Sequence, residues 1–231
     1  MDAKLIVMLT HHDQTVSNAL DVFNAAKGLP VDYWGFKDVG LPRNQMLELV
    51  QAIKAAGKTA FLEVVSYTEE ACMDGARLAV ACGFDCLMGT LFYPSVWEYL
   101  KDKPIRYYPF VGEVSGSPSI LEGTPEAMIG QVRRFAELGV HGTDLLAYRY
   151  TGDAEGLAAR YCTESPLPCC VAGSIDSVAR LVAVDAINPE TFTMGGALFD
   201  GKFVAGKDFC ANLQRVIDIM ESIYTNSRKA G

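Results

Sequence analysis

AVACGFDCLMGT, residues 79–90, decides the fold class. It runs off the end of an apolar helical face, through Gly83, into the short apolar run FDCLMGT (84–90). Glycine accepts the left-handed conformation that follows a helix C-terminus, and so short an apolar run reads as a buried strand. Outward from this stretch the same hand-over recurs at AAKGLPV (Gly28), KAAGKTA (Gly57) and AELGVHG (Gly139). The strands expected are KLIVMLT (4–10), VDYWGFK (31–37), TAFLEVV (59–65), FDCLMGT (84–90), IRYYPFV (105–111), VHGTDLLAY (140–148), PCCVAG (168–173) and TFTMGG (191–196). Apolar runs alternating with amphipathic stretches about twice as long are the pattern of an α/β protein with a parallel sheet.

The intervening helices carry their own punctuation. Thr124 followed by Pro125 reads as an N-cap and first helical residue, and Met128, Ile129, Val132, Phe135 and Ala136 then recur on one face. Phe209 to Tyr224 gives a closing helix. Eight strand–helix units in 231 residues fit a compact (β/α)8 barrel. A doubly wound sheet usually shows a GxGxxG turn after its first strand, and THHDQT (10–15) has no glycine. No linker or charge block divides the chain, so residues 1–231 are expected to form a single barrel domain.

Composition narrows the partners. The net charge of −8 and the pI near 4.9 argue against nucleic acid or an anionic membrane. No apolar run approaches the ~18–20 residues of a membrane span, and MDAKLIVML is too short and abruptly polar for a signal peptide. A cytoplasmic location is expected. The seven cysteines, 72, 82, 86, 162, 169, 170 and 210, are odd in number and lack CxxC spacing. Buried reduced thiols are expected.

Barrel enzymes work at the C-terminal ends of their strands. Those ends deliver His11, His12 and Asp13, then Lys37 and Asp38, Glu63, Thr90, Glu113, Tyr148 and Arg149, and finally Ser174 and Asp176. Alternation on the second strand turns Trp34 and Phe36 to the helices and Gly35 and Lys37 to the barrel mouth, where Glu63 is in reach. A lysine there serves as an electrostatic anchor, an acid/base or a Schiff-base nucleophile. One of His11 and His12 is expected to face the centre as a general acid/base. Asp13 reads as a helix N-cap in preference to a catalytic acid. His12, Asp38, Glu63 and Asp176 have no diagnostic metal-ligand spacing, so neither a metal nor a cofactor is expected. GEVSGSPSILEG (112–123) reads as a lid with bends at Gly112, Gly116 and Gly123.

The clearest signal is at the end. Ala172-Gly173-Ser174 closes the seventh strand, and Met194-Gly195-Gly196-Ala197 closes the eighth and opens a short helical turn. Glycines at these two ends let backbone N–H groups approach a phosphate. VAGSIDSVARL (171–181) and MGGALFDGKF (194–203) resemble the last quarter of the phosphate-binding barrels of histidine biosynthesis, the phosphoribosylformimino-carboxamide isomerase and the cyclase subunit of imidazole glycerol phosphate synthase. The resemblance implies a phosphate site at Gly173, Ser174, Gly195, Gly196 and Ala197. It does not extend to the catalysis. That family's aspartate at the end of strand one is replaced by Leu9-Thr10-His11, and Glu113 and Thr151 stand near its second aspartate.

The resulting expectation is an enzyme that moves a proton next to a carbonyl on a small phosphorylated sugar or sugar-derived metabolite. Glu63, Asp38 and one histidine would be acid and base, Lys37 would stabilise an enediolate, and Arg149, Glu113 and Asp176 would contact substrate. The alternatives are a Schiff-base lyase using Lys37 and a non-catalytic barrel that binds a phosphometabolite. The sequence leaves a homo-oligomer open.

Overall fold

Each apolar run becomes a strand, and Gly57, Gly83 and Gly139 stop the helices that precede three of them. The computed structural model describes residues 3–230. Eight parallel strands, β1 (Lys4–Met8), β2 (Tyr33–Lys37), β3 (Thr59–Ser66), β4 (Cys86–Thr90), β5 (Arg106–Tyr108), β6 (Thr143–Leu145), β7 (Cys169–Val171) and β8 (Thr191–Met194), form one sheet in the order β6-β7-β8-β1-β2-β3-β4-β5. The ring closes where Phe110, just past β5, bridges Asp144 on β6, and Asp144 N–H donates to the Pro109 carbonyl at 2.9 Å. This is a (β/α)8 barrel. The helices outside it are α1 (Ala19–Ala26), α2 (Arg43–Ala55), α3 (Glu69–Cys82), α4 (Pro94–Leu100), α5 (Pro125–Leu138), α6 (Ala154–Glu164), α7 (Val178–Ile187), the single turn α8 (Gly196–Phe199) and α9 (Phe209–Ala230). Among the described residues no helix is long and apolar enough to cross a membrane.

Local chemistry sets the ends. Gly57, Gly83 and Gly139 have φ of 73°, 76° and 82°, the left-handed geometry expected after a helix. Gly28 does not join them: α1 ends on Lys27 with right-handed geometry. The Thr124 hydroxyl accepts from the Ala127 N–H, capping α5 at Pro125. Several strands are shorter than their apolar runs. The first stops at Met8, because Thr10–His11 turns back on Gln14–Thr15 as a small antiparallel ribbon.

Two apolar layers hold the barrel. The outer one lies between strands and helices, with Trp34 edge-on to Phe23 and Phe36 against Phe84, both at 5.0 Å between ring centres. The inner one fills the barrel with Ile6, Met8, Phe61, Cys86, Met88, Tyr108 and Cys170. Cys169 and Cys170 fall in opposite layers, as alternation along a strand requires. Five of the seven cysteines are buried, and Cys162 and Cys210 are half-buried. At the N-terminal end of the barrel the Tyr108 hydroxyl donates to Glu190 at 2.7 Å, with Arg106 beside both. That end is plugged, and the C-terminal mouth stays open.

Candidate active site

β2 and β3 run in register so that Lys37 is level with Glu63. Gly35, on the same inward face as Lys37, leaves room for the Met8 side chain: a Cβ there would fall 2.6 Å from the Met8 sulfur. Across the mouth, Gly173 and Ser174 follow the end of β7, with φ of 91° and 46°. A side chain at Gly173 would collide with Arg149, whose Cγ would be 2.8 Å from its Cβ. Glycine there is what lets the arginine lie over the turn. Gly195 follows the last residue of β8 and is the N-cap of α8, and the first N–H groups of any helix lack an intrahelical acceptor.

These walls enclose a cavity of about 310 Å³ at the barrel mouth. Lys37, Glu63, Arg149, Gly173, Ser174, Asp176, Gly195, Gly196 and Ala197 all line it. The volume lies at the small end of the roughly 300–1,000 Å³ typical of small-molecule sites. Thr10, Asp13, Ser119, Asp200 and Lys202 line it as well, and the strand-end reading assigned no ligand role to any of them.

Five expected residues are placed otherwise. His11 and His12 are not among the lining residues, which corrects the expectation that one of them faces the centre. His12 and Asp13, with φ of 49° and 60°, are the two turn residues of the ribbon Thr10–His11/Gln14–Thr15, a tight hairpin that demands positive φ. The turn carries the imidazoles onto the rim, where His11 Nε2 meets Asp200 Oδ1 at 2.9 Å and its ring stacks on Phe199. Asp13 is therefore not a helix cap, since α1 begins at Ala19 after Asn18. Instead its carboxylate pairs with Lys37 Nζ at 3.2 Å. Glu113 is exposed on a second ribbon, Glu113–Ser115 with Ile120–Glu122, and Asp38 sits beside Lys37 without lining the cavity.

That second ribbon is the segment expected to act as a lid, and Gly112, Gly116 and Gly123 all bend it with positive φ. The Tyr67 hydroxyl donates to the Gly116 carbonyl at 2.9 Å and lies 2.7 Å from the Ser119 hydroxyl. The Tyr150 hydroxyl donates to the Gly123 carbonyl at 2.8 Å. The ribbon roofs one side of the mouth and brings Ser119 to the cavity.

The electrostatics favour a protonated lysine. Burial pulls the proton affinity of Lys37 down, but Glu63, Asp13 and Asp38 outweigh it, and the pKa rises. Burial pushes the Glu63 carboxyl up against the opposing pull of Lys37. Asp38 is raised by burial too. The hydrogen bond from His11 holds Asp200 below the usual carboxylate range. An ammonium next to a carboxyl of raised pKa is an arrangement suited to moving a proton near neutral pH. Among the described residues no three His, Cys, Asp or Glu side chains gather as a metal ion would need.

Neither a protein-family model nor a curated protein matches the sequence. Solved structures do. Orotidine 5′-phosphate decarboxylase from Pyrococcus horikoshii OT3 is similar at 10% identity over 94% of this chain and 99% of that one, with a TM-score of 0.71. The tryptophan synthase alpha chain from Legionella pneumophila subsp. pneumophila is similar at 13% identity over 97% and 92%, with a TM-score of 0.66. Phosphoribosylanthranilate isomerase from Thermotoga maritima is similar at 10% identity over 95% and 99%, with a TM-score of 0.65. At such identities the likeness shows the barrel fold. It does not single out the histidine-biosynthesis family that the last two strands resemble.

Proposed function

We propose that this chain is an enzyme that transfers a proton next to the carbonyl of a small phosphorylated sugar or sugar-derived metabolite, as an isomerase or epimerase does. One observation carries the reading: a cationic Lys37 level with a part-buried Glu63 faces, across one small cavity, two glycine turns flanked by Arg149 and Lys202. The turns at 173–174 and 195–197 hold the phosphate through backbone N–H groups, and the two cations add charge-assisted hydrogen bonds. Two of the similar structures bear enzyme names that contain phosphorylated substrates, which supports a phosphorylated substrate here.

Glu63 takes the proton from the carbon beside the carbonyl. The C–H electron pair forms a carbon–carbon double bond, the carbonyl π pair moves onto the oxygen, and Lys37 faces the negative charge that develops there. For an isomerase, Glu63 then returns the proton to the former carbonyl carbon while the adjacent hydroxyl proton passes to the former carbonyl oxygen; for an epimerase, another acid protonates the original carbon from the opposite face. Stabilisation of the oxyanion is the larger contribution to rate in such a site. Imine chemistry needs a neutral amine, and the carboxylates around Lys37 work against one. Proton transfer is therefore favoured over a Schiff-base lyase.

The test is deuterium wash-in. Aldose and ketose monophosphates of three to six carbons are incubated with the protein in heavy water and followed by proton NMR. Exchange at the carbon beside the carbonyl, lost in Glu63→Gln, is the expected result. No exchange into any of them would overturn the proposal.

A further inference from the structure

The proposed chemistry leaves one buried acid unused. On β6 the Thr143 hydroxyl meets the Tyr161 hydroxyl of α6 at 2.9 Å, so Thr143 faces the helices. Alternation then turns Asp144 into the barrel. Its register partner on β7 is Cys170, a member of the inner apolar layer. Asp144 is fully buried, and neither of its carboxyl oxygens has a hydrogen-bond partner. Its neighbours in chain and sheet, Phe110 and Leu146, line the cavity while Asp144 does not, so it lies beneath the cavity floor.

An ion in such a place must be paired or give up its charge. The charged groups acting on Asp144 are Glu63 on β3 and Lys37 on β2, and Cys86 and Cys170 complete the surroundings with neutral thiols. Glu63 also feels Asp13, Asp38 and Arg149. One ammonium, already paired with the exposed Asp13, thus faces the part-buried Glu63 and the fully buried Asp144 and cannot balance both. Glu63 reaches the cavity, whereas Asp144 has no polar contact to stabilise an ionised form.

We infer that Asp144 is the proton-holding partner of Glu63: of these two carboxyl groups only one is ionised at a time, and the neutral Asp144 leaves Glu63 free to be the carboxylate. The proton count balances without any other reactant. The pair carries one proton and one negative charge, set against the Lys37 ammonium. Burial first, and the Glu63 charge second, hold the Asp144 carboxyl well above the usual carboxylate range, with Lys37 opposing. Asp144 acts through Glu63 and is a positioning residue. Its consequence for catalysis rests on the reading of Glu63 as the base, but the ionisation itself does not.

The experiment is carbon-detected NMR of the full chain labelled at the aspartate and glutamate carboxyl carbons, titrated from about pH 4 to 9. In the unmodified protein the Asp144 signal stays at its protonated position while exposed aspartates ionise. In Glu63→Gln the Asp144 midpoint falls by about one unit or more, because Lys37 then has it as its buried counter-charge. In Asp144→Asn, which keeps shape and neutrality, the Glu63 midpoint stays where it was, because Asp144 is already neutral while Glu63 ionises. Ionisation of Asp144 alongside the exposed aspartates would overturn the inference, and so would a midpoint indifferent to Glu63→Gln. No substrate is involved, so a failed deuterium wash-in and a failed titration are separate outcomes.

Discussion

Replacing Asp144 with asparagine should make the protein more stable, by an amount that grows with pH. The unfolded chain releases this proton near pH 3.9, whereas the folded protein holds it to well above that value because the side chain is buried without a partner. The sign follows from linkage. A raised carboxyl contributes stability that is fully present below the unfolded pKa and is lost as pH rises toward the folded pKa. Each pH unit in that window costs the unmodified protein about 1.4 kcal/mol, and asparagine bears no proton to lose. For a chain of this size 1 kcal/mol corresponds to roughly 2–4 °C in Tm. The advantage of Asp144→Asn should therefore widen by about 3–6 °C between pH 4.5 and 5.5. Melts followed by near-ultraviolet circular dichroism read it directly. Glu63 and Asp38, also raised by burial, titrate in both proteins, which is why the difference between the two curves is the informative quantity. A Tm difference that stays flat or shrinks across this range would refute the argument that Asp144 is held neutral.

Other outcomes follow from the same geometry. Glu63→Gln should lower deuterium wash-in by about 10²–10⁴-fold while ligand-dependent stabilisation persists, as measured by NMR and thermal shift. Lys37→Met should lower it by about 10²–10³-fold, and borohydride should trap no adduct on the unmodified protein with any exchanging substrate, checked by intact mass. His11→Ala breaks a rim pair with Asp200 in which both side chains are partly exposed, so it should change stability by no more than about 1 kcal/mol and leave the wash-in rate unaltered.

The barrel was legible because it repeats. Gly57, Gly83 and Gly139 each mark a helix end followed by an apolar run, and a motif seen several times outweighs one misread instance such as Gly28. Lys37 and Glu63 were legible too, since alternation on the second strand fixes which side chains face inward. Asp13 was hidden by backbone geometry. A helix cap and the turn of a tight hairpin both favour aspartate, and only the positive φ at His12 and Asp13 separates them. That φ is uncommon for histidine, so the sequence carried no signal that the chain would reverse there and lift both imidazoles to the rim. Glu113 lay in a glycine-bounded stretch whose pairing into a ribbon depends on anchors far off in sequence, Tyr67 and Tyr150. Asp144 was visible as the lone acid in the apolar run VHGTDLLAY. Reading only the strand ends passed over it, because its position beneath the floor follows from barrel closure at Phe110.

The central claim is that the two glycine turns hold a phosphate, and Gly196→Val tests it most directly. A Cβ at Gly196 meets only the edge of the His11 ring at 3.9 Å, whereas one at Gly195 would press to 2.8 Å on the Thr10 carbonyl oxygen. The valine variant should therefore fold while walling off the N–H groups at 195–197. Thermal shifts are measured against phosphorylated sugars and their unphosphorylated counterparts, where a ligand at 100 times its Kd stabilises the fold by about 2.7 kcal/mol. Stabilisation by phosphorylated sugars alone, absent in Gly196→Val, is the predicted result. Stabilisation that ignores the phosphate, or that survives the valine, would contradict the account.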